Sequence, residues 1–139
     1  MNRVLVDTSV WSLALRKRNL SASEQSVVSR LSELIRDLEL VMIGPIRQEI
    51  LSGIADMTRF EDLKARVSIF PDHEILTADY ELAAQFNNAC RAKGIQGSHT
   101  DFLICSVAFN NKMSIFTLDK DFENYRNVIG IKIEEIGST

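Results

Sequence analysis

Five carboxylates in this sequence occupy positions from which they could share one site. Asp7 and Asp119 directly follow short apolar runs. Glu49 borders the apolar stripe of a predicted helix, and Asp101 and Asp121 fall in the first turns of two others. Carboxylates that converge without a counter-charge repel one another strongly. A divalent cation removes that repulsion, and the pattern therefore suggests a metal centre.

Oxygen ligands suit Mg²⁺ or Mn²⁺, which usually retain several waters and also accept phosphate oxygens as ligands. A centre of this kind can activate water and stabilise charge on a transferring phosphoryl group. One ion, or two ions about 3.5–4 Å apart, would serve this chemistry.

Each acid taken alone also has a purely structural interpretation. Asp7 and Asp119 could be helix N-caps, and Asp101 could complete a capping box. Asp121 could be a first-turn acid favoured by the helix dipole, and Glu49 could be a solvated helix residue. Two features favour the shared site instead. Asp7 and Asp119 both stand at apparent strand ends, and Glu49 lies beside apolar residues and not opposite them.

Hydrophobic patterning predicts that short buried strands alternate with amphipathic helices. Continuous apolar runs such as Val4-Leu5-Val6 are typical of strands buried on both faces, whereas apolar residues every three or four positions are typical of helices. Strands are predicted at 4–6, 40–43, 74–76, 113–118 and 128–136. Helices are predicted after 8–9, after the capping boxes Ser21–Glu24 and Ser98–Asp101, from 44–45, and over 58–70, 78–93 and 119–125.

This alternation predicts an α/β fold in which a mainly parallel sheet of about four to five strands carries helices on both faces. The 139 residues contain no internal repeat and no obvious linker, so residues 1–139 are interpreted as a single domain. Open α/β sheets bind ligands beyond the carboxyl ends of their strands, which is where Asp7 and Asp119 are expected.

The composition indicates an ordinary globular protein, with 45% hydrophobic and 25% charged residues. No apolar run approaches the roughly 20 residues needed to span a bilayer. Asp7 interrupts the first apolar stretch at once, so the N-terminus does not resemble a signal peptide, and we expect a cytoplasmic protein with no membrane partner. The net charge of −3 argues superficially against a nucleic-acid partner. Setting the five acids aside leaves 16 basic against 14 acidic residues, a balance of +2.

The two cysteines, Cys90 and Cys105, each lie within an apolar-periodic segment. Their spacing matches no metal-binding motif, and we therefore predict two buried, reduced thiols. Trp11 is predicted to lie in the core or in a dimer interface, and not to act as a platform for base stacking.

Four segments of the sequence resemble the acidic motifs of PIN-domain nucleases, and of the VapC toxins in particular. Residues 4–11 are similar to the opening strand and helix of that family, and residues 45–50 to its second acidic segment. Residues 100–104 resemble the third segment, where the acid opens a helix, and residues 116–122 the fourth. The segments occur in the family's order, and the resemblance extends from near residue 3 to near residue 134.

The resemblance implies a three-layer α/β/α PIN-like domain that hydrolyses RNA with Mg²⁺ or Mn²⁺ and leaves 5′-phosphate and 3′-hydroxyl ends. It also implies a toxin role, with a cognate antitoxin that blocks the site, and a homodimer. Transferred residue by residue, it makes Asp7, Glu49, Asp101 and Asp119 the catalytic, metal-binding carboxylates. Asp121 matches a more variable fifth acid.

Three hydroxyl-bearing residues also match positions of the family. Thr8 or Ser9, and Thr117, are implied to hydrogen-bond to the acids and to orient them. Many relatives have a proline or a small residue just before the third acid, where this chain has His99 and Thr100. His99 could contact phosphate or metal, or it could be a partly exposed first-turn residue.

The densest basic run is formed by Arg16, Lys17 and Arg18, at the end of the first predicted helix. Such a run is often a solvated helix end, where cations suit the helix dipole. Its functional interpretation is a contact with the RNA backbone or a docking point for an acidic partner.

Two other functions stay open at this point. Phosphatases of the haloacid-dehalogenase kind also begin with a strand that ends in Asp and require Mg²⁺. They need a second Asp two residues later, however, where this chain has Ser9. A non-catalytic PIN-like module that only binds RNA or a partner is the second alternative, and the presence of all four acids argues against it.

Overall fold

The computed structural model describes residues 2–136, and among them four strands and seven helices are found. The strands are β1 (Val4–Val6), β2 (Leu40–Val41), β3 (Ser114–Phe116) and β4 (Lys132–Ile133). The helices are α1 (Thr8–Arg16), α2 (Ala22–Arg36), α3 (Gly44–Leu51), α4 (Met57–Val67), α5 (Thr77–Ala92), α6 (His99–Asn110) and α7 (Asp121–Arg126).

The four strands form one all-parallel sheet with the order β2-β1-β3-β4. Val4 of the inner strand β1 pairs with Leu40 on one side and with Ser114 on the other. All three residues of β1 are fully buried, as the continuous apolar run predicted. The predicted α/β/α architecture with a mainly parallel sheet is confirmed, with four strands.

Helix α6 is the most deeply buried helix among the described residues. Every side chain from Phe102 to Ala108 is buried, because the helix packs against β1, β3 and α5. A helix that is apolar on all sides belongs in the core. The N-terminal turn of α6, which carries Asp101, therefore leads directly into the buried core.

The signals for helix ends are largely confirmed. Ser21 Oγ accepts from the Glu24 N–H at 3.2 Å, and the Ser21 N–H donates to Glu24 Oε1 at 2.9 Å, which completes the first capping box. The second box is only half formed, since Ser98 Oγ accepts from the Asp101 N–H at 3.0 Å but the Asp101 carboxylate binds elsewhere. Gly94, with φ of 76°, follows the end of α5 in the left-handed conformation that glycine favours there.

The sheet has one edge strand fewer than the sequence pattern predicted, and its last strand is shorter. The predicted edge strand at 74–76 is wrong: this segment is irregular, and only an isolated bridge joins Met42 to Asp72. The Leu76 N–H instead donates to Asp79 Oδ2 at 2.9 Å, so the segment starts α5. The last strand covers only Lys132–Ile133, not 128–136, because β4 has a neighbour on one side alone. Residues 137–139 lie outside the described residues.

The buried apolar side chains form a single cluster. Cys90 and Cys105 are free thiols within it, and Trp11 is 3% exposed with its ring centroid 5.4 Å from that of Phe70, so both core predictions are confirmed. No helix within residues 2–136 combines the length and the apolar character that crossing a membrane would require.

Candidate metal centre

Asp7 lies directly beyond the carboxyl end of β1, and its carboxylate is only 6% exposed. It occupies the N-cap position of α1, but its side chain makes no capping hydrogen bond. Oδ2 instead accepts the hydroxyls of Ser9 and Thr117, each at 2.8 Å. The structural interpretation of Asp7 as a helix cap therefore does not hold, and its carboxylate binds to the segment that follows β3.

The two hydroxyls that bind Asp7 are themselves fixed by the backbone. Ser9 Oγ accepts from the Leu118 N–H at 2.9 Å, and Thr117 Oγ1 accepts from the Asp119 N–H at 3.0 Å. Each hydroxyl therefore accepts from an amide and donates its own proton to the carboxylate. Through these bonds the loop that carries Asp119 is tied to the end of β1.

Three of the predicted acids converge. Asp101 at the start of α6, Asp119 in the loop after β3, and Asp121 at the start of α7 each offer a carboxylate oxygen, and these oxygens lie within 4.8 Å of one another. The loop is held in this arrangement partly by the Asp121 N–H, which donates to Asp119 Oδ1 at 2.9 Å. Asp119 precedes α7 and is not part of it, in contrast to the predicted helix over 119–125.

The electrostatics of the cluster are unbalanced. Within residues 2–136, none of the five predicted acids forms an ion pair with a basic side chain. Burial raises the pKa of Asp101, and the nearby charges of Asp7 and Asp119 raise it further, while hydrogen bonds from Tyr125 and Ser98 oppose the increase. The ionised form of Asp101 is therefore destabilised by its surroundings.

Glu49 lies on α3 and is exposed. Its Oε1 accepts the Thr8 hydroxyl at 3.0 Å, so Thr8 orients Glu49 and not Asp7. The bond places Glu49 beside the residue that follows Asp7. Neither Glu49 nor Asp7 belongs to the group of oxygens within 4.8 Å, so the structure places them around the cluster of three and not inside it.

Tyr125 is a participant that the sequence analysis missed. Its hydroxyl donates to Asp101 Oδ2 at 2.7 Å, and the residue is fully buried. Burial, followed by the hydrogen bond to Asp101, raises the pKa of Tyr125, so the phenol is protonated and remains a donor. The available signal was its position four residues after Asp121, which places both side chains on one face of a helix.

The basic run is only partly available to a ligand. Arg16 Nη2 donates to the Ile50 carbonyl at 2.8 Å, and Lys17 Nζ pairs with Glu24 at 2.6 Å. Arg18 is exposed and has no ion pair among the described residues. His99, the first residue of α6, is also exposed and lines a cleft of about 360 Å³ between α5 and α6.

The side chains at this edge of the sheet suit a hard divalent cation. The three carboxylates each offer an oxygen within 4.8 Å of the others. None of them forms an ion pair with a basic side chain of residues 2–136. They supply the oxygen donors that Mg²⁺ and Mn²⁺ prefer. The donors come from three different elements, so a bound ion would join α6, the β3–α7 loop and α7.

The model of the family described as PIN domain matches residues 4–128. The chain belongs to the PIN-domain family. No curated protein sequence matches it.

Solved structures share the PIN fold with this chain at low sequence identity. FitAcB from Neisseria gonorrhoeae superposes with a TM-score of 0.76 and 17% identity, over 96% of this chain and 97% of that one. VapBC2 from Rickettsia felis, bound to a DNA fragment from its promoter, gives a TM-score of 0.76 and 14% identity, over 94% and 96% of the two chains. FitAB bound to an IR36 DNA fragment gives 0.74 and 17%, over 96% and 94%.

Proposed function

We propose that this PIN domain is a Mg²⁺- or Mn²⁺-dependent endoribonuclease and the toxin of a type II toxin–antitoxin pair. The observation that carries the proposal is the cluster of Asp101, Asp119 and Asp121 oxygens beyond the carboxyl end of the sheet, in a chain of a family whose members are generally nucleases. The catalytic and metal-binding set consists of Asp7, Glu49, Asp101 and Asp119, with Asp121 as a further ligand.

The residues of the chain have distinct roles in this proposal. Asp101, Asp119 and Asp121, whose oxygens converge, would bind the ion together. Asp7, fixed by Ser9 and Thr117, and Glu49, bound by Thr8, would complete the set of carboxylates from beside them. A bound Mg²⁺ or Mn²⁺ would supply Lewis-acid activation of water and stabilise charge on the scissile phosphate. In the hydrolysis a water oxygen bonds to phosphorus, the bond from phosphorus to the 3′ oxygen breaks, and the leaving oxygen gains a proton.

The RNA backbone is anionic, so basic side chains outside the acidic cluster would have to bind its phosphates. Arg18 and His99 are exposed and are the candidates for phosphate contacts, whereas Arg16 and Lys17 are engaged with Ile50 and Glu24. Contacts of this kind position the RNA backbone and do not by themselves select its sequence.

The test is incubation of purified protein with total cellular RNA, with Mn²⁺, with Mg²⁺ and with EDTA. Asp7→Asn is the test variant, and Asp62→Asn, an exposed acid on α4, is the matched control. We expect discrete fragments that require metal, are retained in Asp62→Asn and fall by roughly a hundredfold in Asp7→Asn. Equal behaviour of all three proteins with either metal would contradict a nuclease and leave a PIN module that only binds.

The toxin assignment has separate support and a separate test. FitAB and VapBC, among the structural neighbours, are toxin–antitoxin complexes. We expect the chain to copurify with the product of a short adjacent gene, and that product to inhibit cleavage. We also expect a homodimer, which sedimentation velocity of the isolated chain would detect as twice the 15.7 kDa mass.

A further inference from the structure

Tyr125 is a buried residue whose one side-chain polar group is directed at a proposed metal ligand. Its hydroxyl donates to Asp101 Oδ2 at 2.7 Å, and the residue is 0% exposed. Asp121 and Tyr125 lie one turn apart on α7. A single short helix therefore supplies one acid of the cluster and the hydroxyl that binds another.

The phenol ring is fixed by its packing. Its centroid lies 4.9 Å from that of Phe102 and 5.2 Å from that of Phe122, the latter in an edge-to-face arrangement. Gly97 covers the hydroxyl so closely that a Cβ atom there would lie 2.4 Å from it. The hydroxyl consequently has almost no freedom to move away from Asp101.

We infer that Tyr125 is a positioning residue for the metal centre, because its hydroxyl holds the Asp101 carboxylate in the orientation that places it beside Asp119 and Asp121. The inference rests on the proposed function, since it takes Asp101 as a metal ligand. Without an ion, repulsion from the neighbouring acids favours rotation of that carboxylate away from them. A fixed donor opposes the rotation, so the ion meets a preorganised ligand and binds more tightly.

A purely structural role for the hydroxyl makes a different prediction. If the hydrogen bond served only to satisfy a buried phenol, its loss would lower the stability of the fold with or without metal. A positioning role adds a change in the dependence on metal concentration, which a purely structural role lacks. Metal affinity, measured without any substrate, therefore separates the two roles.

The test removes one oxygen atom with Tyr125→Phe, and Tyr80→Phe makes the same change at an exposed residue of α5 as the matched control. Calorimetric titration of metal-free protein with Mn²⁺ gives the dissociation constant, and thermal unfolding in EDTA gives the stability. We expect Tyr125→Phe to weaken Mn²⁺ binding by about tenfold or more, and Tyr80→Phe to bind like wild type. The cleavage rate of Tyr125→Phe should recover toward the wild-type plateau as Mn²⁺ is raised.

The outcomes separate this inference from the proposed function. Unchanged Mn²⁺ affinity in Tyr125→Phe, beside a wild type that binds Mn²⁺ and cleaves RNA, would overturn the positioning role alone. A wild type that binds no Mn²⁺ would overturn the metal-dependent function and, with it, the inference. If Tyr125→Phe does not fold, wild-type protein with isotopically labelled tyrosine rings replaces it. Titration with Mg²⁺ should shift the nuclear magnetic resonance signal of Tyr125 and not that of the exposed Tyr80, and an unmoved Tyr125 signal would overturn the positioning role.

Discussion

At the residue scale, the two most buried acids of the centre are held in different ways. Asp7 accepts two hydroxyls on one oxygen, whereas Asp101 Oδ2 accepts the hydroxyl of Tyr125. Hydroxyl donors stabilise a charged carboxylate, and burial and like charges oppose it. At Asp101 the opposing effects are larger, since its pKa is raised.

Asp101→Asn is therefore expected to stabilise the metal-free protein at neutral pH. The amide removes a destabilised charge and its carbonyl can still accept from Tyr125, so we expect a gain of about 0.5–1 kcal/mol in the free energy of unfolding. Urea unfolding in EDTA measures this gain, with Asp62→Asn as the reference. Saturating Mn²⁺ should stabilise wild type and leave Asp101→Asn almost unchanged. A less stable Asp101→Asn protein in EDTA would show that the charge of Asp101 is not what destabilises the metal-free fold at this position.

The acids could be predicted from the sequence because each has a local signature, such as Asp7 after an apolar run or Asp101 at a helix start. Tyr125 could not be, since its bond to Asp101 joins residues 24 positions apart and depends on how α6 and α7 pack. For the same reason the sequence assigned Thr8 to the acids in general, and only the packing of α1 against α3 identifies Glu49 as its partner.

At the scale of elements, Arg47 links α3 to the end of α4. Its guanidinium donates to the Val67 carbonyl at 2.9 Å and to the Phe70 carbonyl, and Nε donates to Asp72 at 3.0 Å. The carbonyls at a helix C-terminus lack partners within the helix. Arg47 thus fixes the chain that leaves α4, and it does so from the helix that carries Glu49.

Arg47→Met should loosen this junction, because it leaves the Phe70 carbonyl without its donor and the Val67 carbonyl with the Phe70 N–H alone. We expect a loss of about 1–3 kcal/mol in the free energy of unfolding. Chemical denaturation would measure it, with Arg36→Met as the control, since Arg36 is exposed and its one ion pair within residues 2–136 is with the adjacent Asp37. Arg47→Lys should recover little, because a single ammonium cannot reach the several acceptors of the guanidinium. A fully stable Arg47→Met protein would contradict the role.

Helix positions were predicted better than strand positions, and the reason is physical. A helix such as α2 carries its own capping box and a long periodic stripe, so the sequence marks its ends. The strands are two or three residues long, and their ends depend on which neighbour they pair with. The apolar residues of 74–76 fit a strand pattern, but the Leu76 N–H instead donates to Asp79 at the N-terminus of α5.

At the scale of the whole molecule, α5 and α6 each contribute one fully buried thiol to the common core. Burial raises the pKa of both Cys90 and Cys105, so little reactive thiolate forms near neutral pH. A thiol-modifying reagent can therefore reach either cysteine only after the core has unfolded.

We expect iodoacetamide to label Cys90 and Cys105 in the native protein with equal protection, because both thiols react only from the small globally unfolded population. Mass spectrometry of timed samples would follow both sites, and urea-unfolded protein, in which both thiols react promptly, is the control. Rapid labelling of Cys90 alone would instead show that α5 opens independently of the sheet.

The pairing of Val4 with Ser114 has a consequence for how such a chain is made. A ribosome synthesises roughly 5–20 residues per second, so β3 is made several seconds after β1, the strand with which it pairs. During that interval the nascent chain has neither Thr117 to hold Asp7 nor Asp119 to complete the cluster. Whatever activity the centre has is therefore withheld from the translating ribosome, itself largely RNA, until synthesis has passed Asp121.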